Sequence, residues 1–243
     1  LTPRLAWPAL WLNLWLTAGA GAAPALRMAI DSATQMPMAR IEGGEVRGGM
    51  NHELGALLAR QMGVAIGYSA VPRRRLLGTL QANQADLVCT YQPAWLPGAG
   101  LQWSQAFFRQ NDVLLSRADA PAPRELTALA GERIGTTLGF VYPELEQALG
   151  GGFLREDAPS AEANLRKLAV GRINHVVVEQ RLLRHLQRSG QFAAPTHPPL
   201  RLAAQRTRCA LAAQAPVTLQ QLNEAIAAIE RDGSLARLYS QYD

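Results

Sequence analysis

LRMAIDSATQMPMARIEGGEVRGGMNHELGALLARQMG, residues 26–63, reads as a strand, a ligand-sized loop and an amphipathic helix in succession. Leu26, Met28 and Ile30 alternate as a short strand, and Asp31, Ser32 and Thr34 follow where it would end. Met50, Leu54, Leu57, Leu58 and Met62 then fall at the spacing of one helix face. In open α/β sheets the carboxyl ends of strands are where small ligands sit, which puts Asp31 at a binding edge. A carboxylate at a strand exit also suits a turn cap, and the local pattern leaves both roles open.

Ahead of this stretch, Arg4 is followed by the apolar run Leu5 to Leu16 and then by small residues ending in Ala20-Gly21-Ala22. That is the three-part layout of a secretory signal peptide, here residues 1–22, cleaved after Ala22. The run is too short for a membrane span, so the mature chain is expected to be soluble and exported, with the periplasm as its compartment.

Beyond it, VAIGYSAV is a second strand, Pro72 opens a helix with Leu76, Leu77 and Leu80 inward, and Asp86 to Thr90 is a third, mostly apolar strand. This β-α-β-α-β order argues for a parallel sheet with helical crossovers. TYQPAWLPGAGLQWSQAFFRQ has no period and reads as a loop whose aromatics, Trp95 and Trp103 among them, either line a pocket or anchor the loop to the core. A strand at Asn111 to Ser116 and the linker Ala120 to Pro123 lead into a second series. There a strand at Arg133 to Thr136 exits through Thr137-Leu138-Gly139-Phe140, helices start near Pro143 and Ser160, and a buried strand ends at Glu179. Pro195 to Arg208 reads as turn-rich, Cys209 to Ala212 as a strand, and Thr218-x-x-Gln221 as a capping box ahead of two closing helices.

Composition narrows the function. The net charge is +5, but Lys167 is the only lysine and the rest of the basic charge is arginine, usage that points to a GC-rich coding sequence. Arg73-Arg74-Arg75, the only basic run, reads as a mostly solvated helix start, and no groove-reading or stacking motif accompanies it, so no nucleic-acid partner is expected. The four histidines lack ligand spacing, so neither a metal nor another cofactor is expected. Cys89 and Cys209 are the only cysteines, and in an exported chain an even count invites a disulfide.

Four segments together resemble the extracellular solute-binding proteins of ABC transporters, family 3. They are Gly49-Met50-Asn51-His52-Glu53-Leu54; Leu80 to Leu87; Trp103-Ser104 with Phe107-Phe108; and Asp232 to Tyr239. The resemblance implies an α/β, two-lobed type II periplasmic binding protein fold, each lobe a mostly parallel sheet flanked by helices, with two hinge crossings between them. Lobe 1 would take residues 23–109 plus 206–243 and lobe 2 residues 110–205. The resemblance also sets Cys209 on the strand beside that of Cys89, making the two a disulfide candidate.

Ligand positions carry over in part. Asp31 and Glu179 match carboxylates that hold a ligand amine, Arg73 stands at a usual aromatic wall, and Thr90 with Tyr91 match a segment that lends backbone groups. Thr34 and Trp95 join this set, and Thr137, Leu138, Gly139 and Phe140 match a loop whose free N–H groups suit an anion. The arginine that clamps an amino acid's carboxylate is missing from YQPAWLPG, so either Arg73 replaces it or the solute is not an ordinary amino acid. The expected protein is a monomeric, non-enzymatic carrier of a small polar, amino-bearing or cationic solute, which it delivers to an ABC-transporter permease. The alternatives are a dehydratase-like enzyme using Asp31 and Glu179 as acid and base, or a stand-alone sensor that hands its closed form to a receptor.

Overall fold

The computed structural model describes residues 25–242, so the signal peptide read at 1–22 lies outside the described residues. Strand β1 (Ala25–Asp31) leads through the hairpin β2 (Arg40–Glu42) and β3 (Glu45–Gly48) into helix α1 (Met50–Met62). β4 (Ala65–Val71), α2 (Leu76–Gln81), β5 (Leu87–Tyr91), β6 (Leu101–Trp103) and β7 (Phe108–Ser116) follow. The second series is β8 (Arg133–Thr137), α3 (Pro143–Leu149), β9 (Leu154–Ala158), α4 (Ala161–Ala169), β10 (His175–Glu179) and α5 (Gln180–Arg188). β11 (Leu200–Ala212), α6 (Leu219–Arg231) and α7 (Ser234–Tyr242) close the chain.

The strands lie in the order β4-β1-β5-β11-β7-β10-β8-β9, with β6 against β11. β4, β1 and β5 are parallel to one another, as are β10, β8 and β9, and the two groups are joined by the antiparallel strands β7 and β11. The sheet is therefore mixed and falls into two halves. β11 belongs to both, pairing with β7 from Leu200 to Thr207 and with β5 from Arg208 to Leu211.

Period-two alternation gives each half a core on both faces. Leu26, Met28 and Ile30 of β1 pack beneath α1, α6 and α7, while Ala29, Val88 and Ala210 face α2. In the second half Val113, Val176 and Val178 meet α4 and α5, and Leu114 and Val177 meet α3. Full burial of each large aliphatic side chain contributes about 2 kcal/mol.

Three segments differ from the sequence reading. The stretch read as turn-rich is most of β11, because its arginines and Gln205 sit on a half-exposed strand whose backbone is satisfied by β7. The loop after Asp31 contains the β2–β3 hairpin, closed by Gly43 and Gly44 at φ 59° and 82°, the sign a tight two-residue hairpin turn requires. The aromatic loop contains β6. Glycine is obligatory at Gly49, ahead of α1, where φ is 95° and a Cβ would lie 2.6 Å from the Ala39 backbone.

The start of β5 is pinned by Asp86, 1% exposed, which accepts from the Arg27 backbone N–H at 2.8 Å and from its guanidinium at 2.9 and 2.6 Å. Asp86→Ala removes acceptors from a buried, charge-assisted network, at a cost of about 2 kcal/mol. For a chain of this size that lowers Tm by roughly 4–8 °C. A calorimetric melt checks it, and an unchanged Tm would mean that water replaces the carboxylate without loss.

Candidate functional site

Where β1, β5 and β10 end, a cleft opens between the two halves, about 930 Å³ counted out to its mouth. Asp31, Thr34, Arg73, Thr90, Tyr91 and Trp95 line it from the first half, and Asp112, Thr137, Phe140 and Glu179 from the second.

Asp31 caps the turn after β1 and also lines the cleft. Its Oδ1 accepts from the Ala33 N–H at 3.0 Å, capping the turn, while Oδ2 meets the Tyr91 hydroxyl, the donor, at 3.4 Å. Burial raises its pKa against the pull of that N–H, of Arg73 and of Tyr91. Thr90 holds a left-handed backbone, φ 65°, uncommon for a β-branched residue, and its hydroxyl donates to the Cys89 carbonyl at 2.6 Å. Beside it, Cys89 and Cys209 face each other across β5 and β11 and form a disulfide.

Of the arginine run, Arg74 and Arg75 are exposed at a helical start, and Arg73 alone turns into the cleft. It begins a 3₁₀ turn, half-buried, with its guanidinium 4.4 Å from the centre of the Tyr91 ring and 4.6 Å from that of Phe140. One donor, on Nη2, reaches the Trp95 carbonyl at 2.8 Å. It is the only basic side chain among the described lining residues.

On the opposite wall Glu179 caps α5, its Oε2 accepting from the N–H groups of Arg181 at 2.7 Å and Leu182 at 3.0 Å. Oε1 is buried without a hydrogen bond, 3.7 Å from the Arg181 guanidinium. Burial pushes this carboxyl up to about 7, outweighing Arg181. Directly across the β7–β10 ladder stands Asp112, pushed up to about 6 by burial and by the Glu144 carboxylate, with the Gln110 side chain opposing. Sequence reading missed Asp112; the available signal was a lone acid in a strand that is otherwise apolar toward its end.

The loop after β8 does not offer the anion cradle expected of it. The Thr137 N–H donates to the Tyr142 hydroxyl, that of Leu138 to the Ala158 carbonyl and that of Phe140 to the Thr137 carbonyl, which leaves little to bind an anion. Leu138 and Gly139 lie outside the lining: Leu138 is 44% exposed, and Gly139 packs against the stems of Arg73 and Arg74.

Solved structures share this architecture. An ancestral arginine-binding protein bound to arginine superposes with a TM-score of 0.75 at 16% identity, covering 91% of this chain and 99% of its own. A histidine kinase sensor domain with similarity to periplasmic binding proteins gives 0.75 at 18%, covering 90% and 95%. The ancestral amino-acid-binding protein AncCDT-1, a precursor of cyclohexadienyl dehydratase, gives 0.73 at 16%, covering 90% and 94%. At such identities the likeness establishes the fold alone. No curated protein sequence matches the chain. The family model for bacterial extracellular solute-binding proteins, family 3, matches residues 26–242. With nearly every described residue inside that match, the chain belongs to the bacterial extracellular solute-binding proteins, family 3.

Proposed function

We propose that the protein is a periplasmic carrier that captures a small cationic, amino-bearing solute in the cleft and delivers it to an ABC-transporter permease. The described residues of 23–109 and 206–243 make one lobe and those of 110–205 the other, moving about β7 and β11. A solute touching both lobes stabilises only their closed arrangement, and a membrane partner reads that arrangement with the solute inside it.

The observation that carries the reading is the pair Asp112 and Glu179, opposed across one ladder and both lining the cleft. Like charges directly opposite each other destabilise a sheet, and a cation between them removes that cost. Asp31 adds a third carboxylate. Arg73 has five N–H donors, one of which reaches the Trp95 carbonyl, and its guanidinium faces the cleft where an acceptor group on the solute can meet it.

Isothermal titration calorimetry of arginine, lysine and putrescine against citrulline, norleucine and glutamate, at pH 8 and pH 5, tests this. A cation needs the carboxylates ionised, so its affinity is highest above about 7 and falls as pH drops through Glu179, near 7, and Asp112, near 6. We expect roughly 1000-fold weaker binding at pH 5 than at pH 8 when both carboxylates must ionise. The solute-free protein runs the other way: these raised carboxyls favour folding at low pH, and that contribution fades as pH rises through the same values. Preference for a neutral or acidic solute, or binding indifferent to pH, would sink the proposal.

One observation favours an enzyme as the second reading: carboxyls poised at about 6 and about 7 suit general acid and base chemistry. Mass spectrometry of the recovered solute separates the two, since a carrier returns it unchanged.

A further inference from the structure

We propose that Arg73, Tyr91 and Phe140 form a clasp that holds the cleft closed before any solute arrives. This rests on the two-lobe closure described above but not on the charge of the solute. Tyr91 belongs to the first half of the sheet and Phe140 to the second, and one guanidinium stacks against both rings, at 4.4 and 4.6 Å. Its Nη2 donation to the Trp95 carbonyl at 2.8 Å ties the arginine to the first half, so the Phe140 contact is the one that opening breaks.

The neighbouring backbone is shaped to the same end. Gly139 sits at φ 81° over Arg73 and Arg74, where a Cβ would come within 3.3 Å of the Arg74 stem, and so lets the second half approach. A guanidinium suits this position better than an ammonium, because its flat, weakly hydrated face stacks on aromatic rings. Behind the clasp, Gln205 on β11 donates to Glu144 at 2.6 Å and meets Gln92 at 3.3 Å, a second polar link across the same divide. Solute entry then requires the Arg73–Phe140 contact to release, and closure re-forms it over the bound molecule.

Small-angle X-ray scattering on protein stripped of solute by unfolding and refolding, with the disulfide intact, tests the clasp. The wild type should scatter as the closed shape calculated from this structure, and Arg73→Ala and Phe140→Leu should each show a larger radius of gyration with an unchanged cooperative melt. If Arg73→Ala loses its cooperative melt, Arg73→Lys replaces it; keeping charge and stem but not the planar face, it should also expand. The clasp is overturned if the solute-free wild type scatters as an open form, or if the folded variants scatter as the wild type does. No solute is present, so failure here leaves the cation reading standing, and failure to bind cations leaves the clasp standing.

Discussion

Replacing both cysteines, Cys89→Ala with Cys209→Ala, should cost more stability than any other change considered for this chain. The bond joins residues 120 positions apart, and closing a loop of that length in the unfolded chain corresponds to about 4–5 kcal/mol. At roughly 2–4 °C per kcal/mol for a chain of this size, Tm should fall by about 10–20 °C. Both cysteines are buried, at 2% and 0% exposure, in the core under α1, so the bond is not strongly reducible without opening that core. Melting in dithiothreitol after incubation at raised temperature should carry the wild type down to the variant's Tm and leave the variant where it was. A drop below about 3 °C would show that the unfolded chain gains little freedom from the cut, against the loop-entropy account.

Neutralising the cleft carboxylates should produce two effects of opposite sign. Glu179→Gln keeps an oxygen to accept the α5 N–H groups but removes the buried charge, and Asp112→Asn does the same across the ladder. Truncating one partner of a buried charge pair costs about 2–5 kcal/mol of binding, so each substitution should weaken a cationic solute by roughly 30-fold or more. The solute-free protein should melt higher at pH 8, because the repulsion between the opposed carboxylates is gone. Calorimetric titration and melts on the same samples read both. Loss of stability with affinity unchanged would instead mark Glu179 as a helix cap and nothing more.

The fold was largely legible because the signals that reveal it are local and periodic. Met50, Leu54 and Leu58 repeat at the helical spacing and are fully buried, and the β-α order of each half follows from such runs. The first part of β11 escaped, though its end at Cys209 to Ala212 was read as a strand, because its pattern is set by its partners: Arg206, Thr207 and Arg208 are strand residues only because β7 and β5 lie alongside. The disulfide came from resemblance, since pairing depends on a strand neighbour that no local pattern announces. In the cleft, Asp31 and Glu179 stand at strand ends where ligand chemistry is expected, but Asp112 matters through the residue opposite it on the ladder. Leu138 and Gly139 were included for loop N–H groups, and which of these remain free is decided by Tyr142 and Ala158.

The bond between Cys89 and Cys209 also gives the molecule a topology. The chain crosses to the second half of the sheet after Cys89, by way of β6, and returns just before Cys209, so everything between, the whole second half included, is one covalent ring. A single backbone cut anywhere in that ring opens it without dividing the molecule. A first cleavage between the two cysteines therefore cannot release the second half of the sheet from the rest of the molecule.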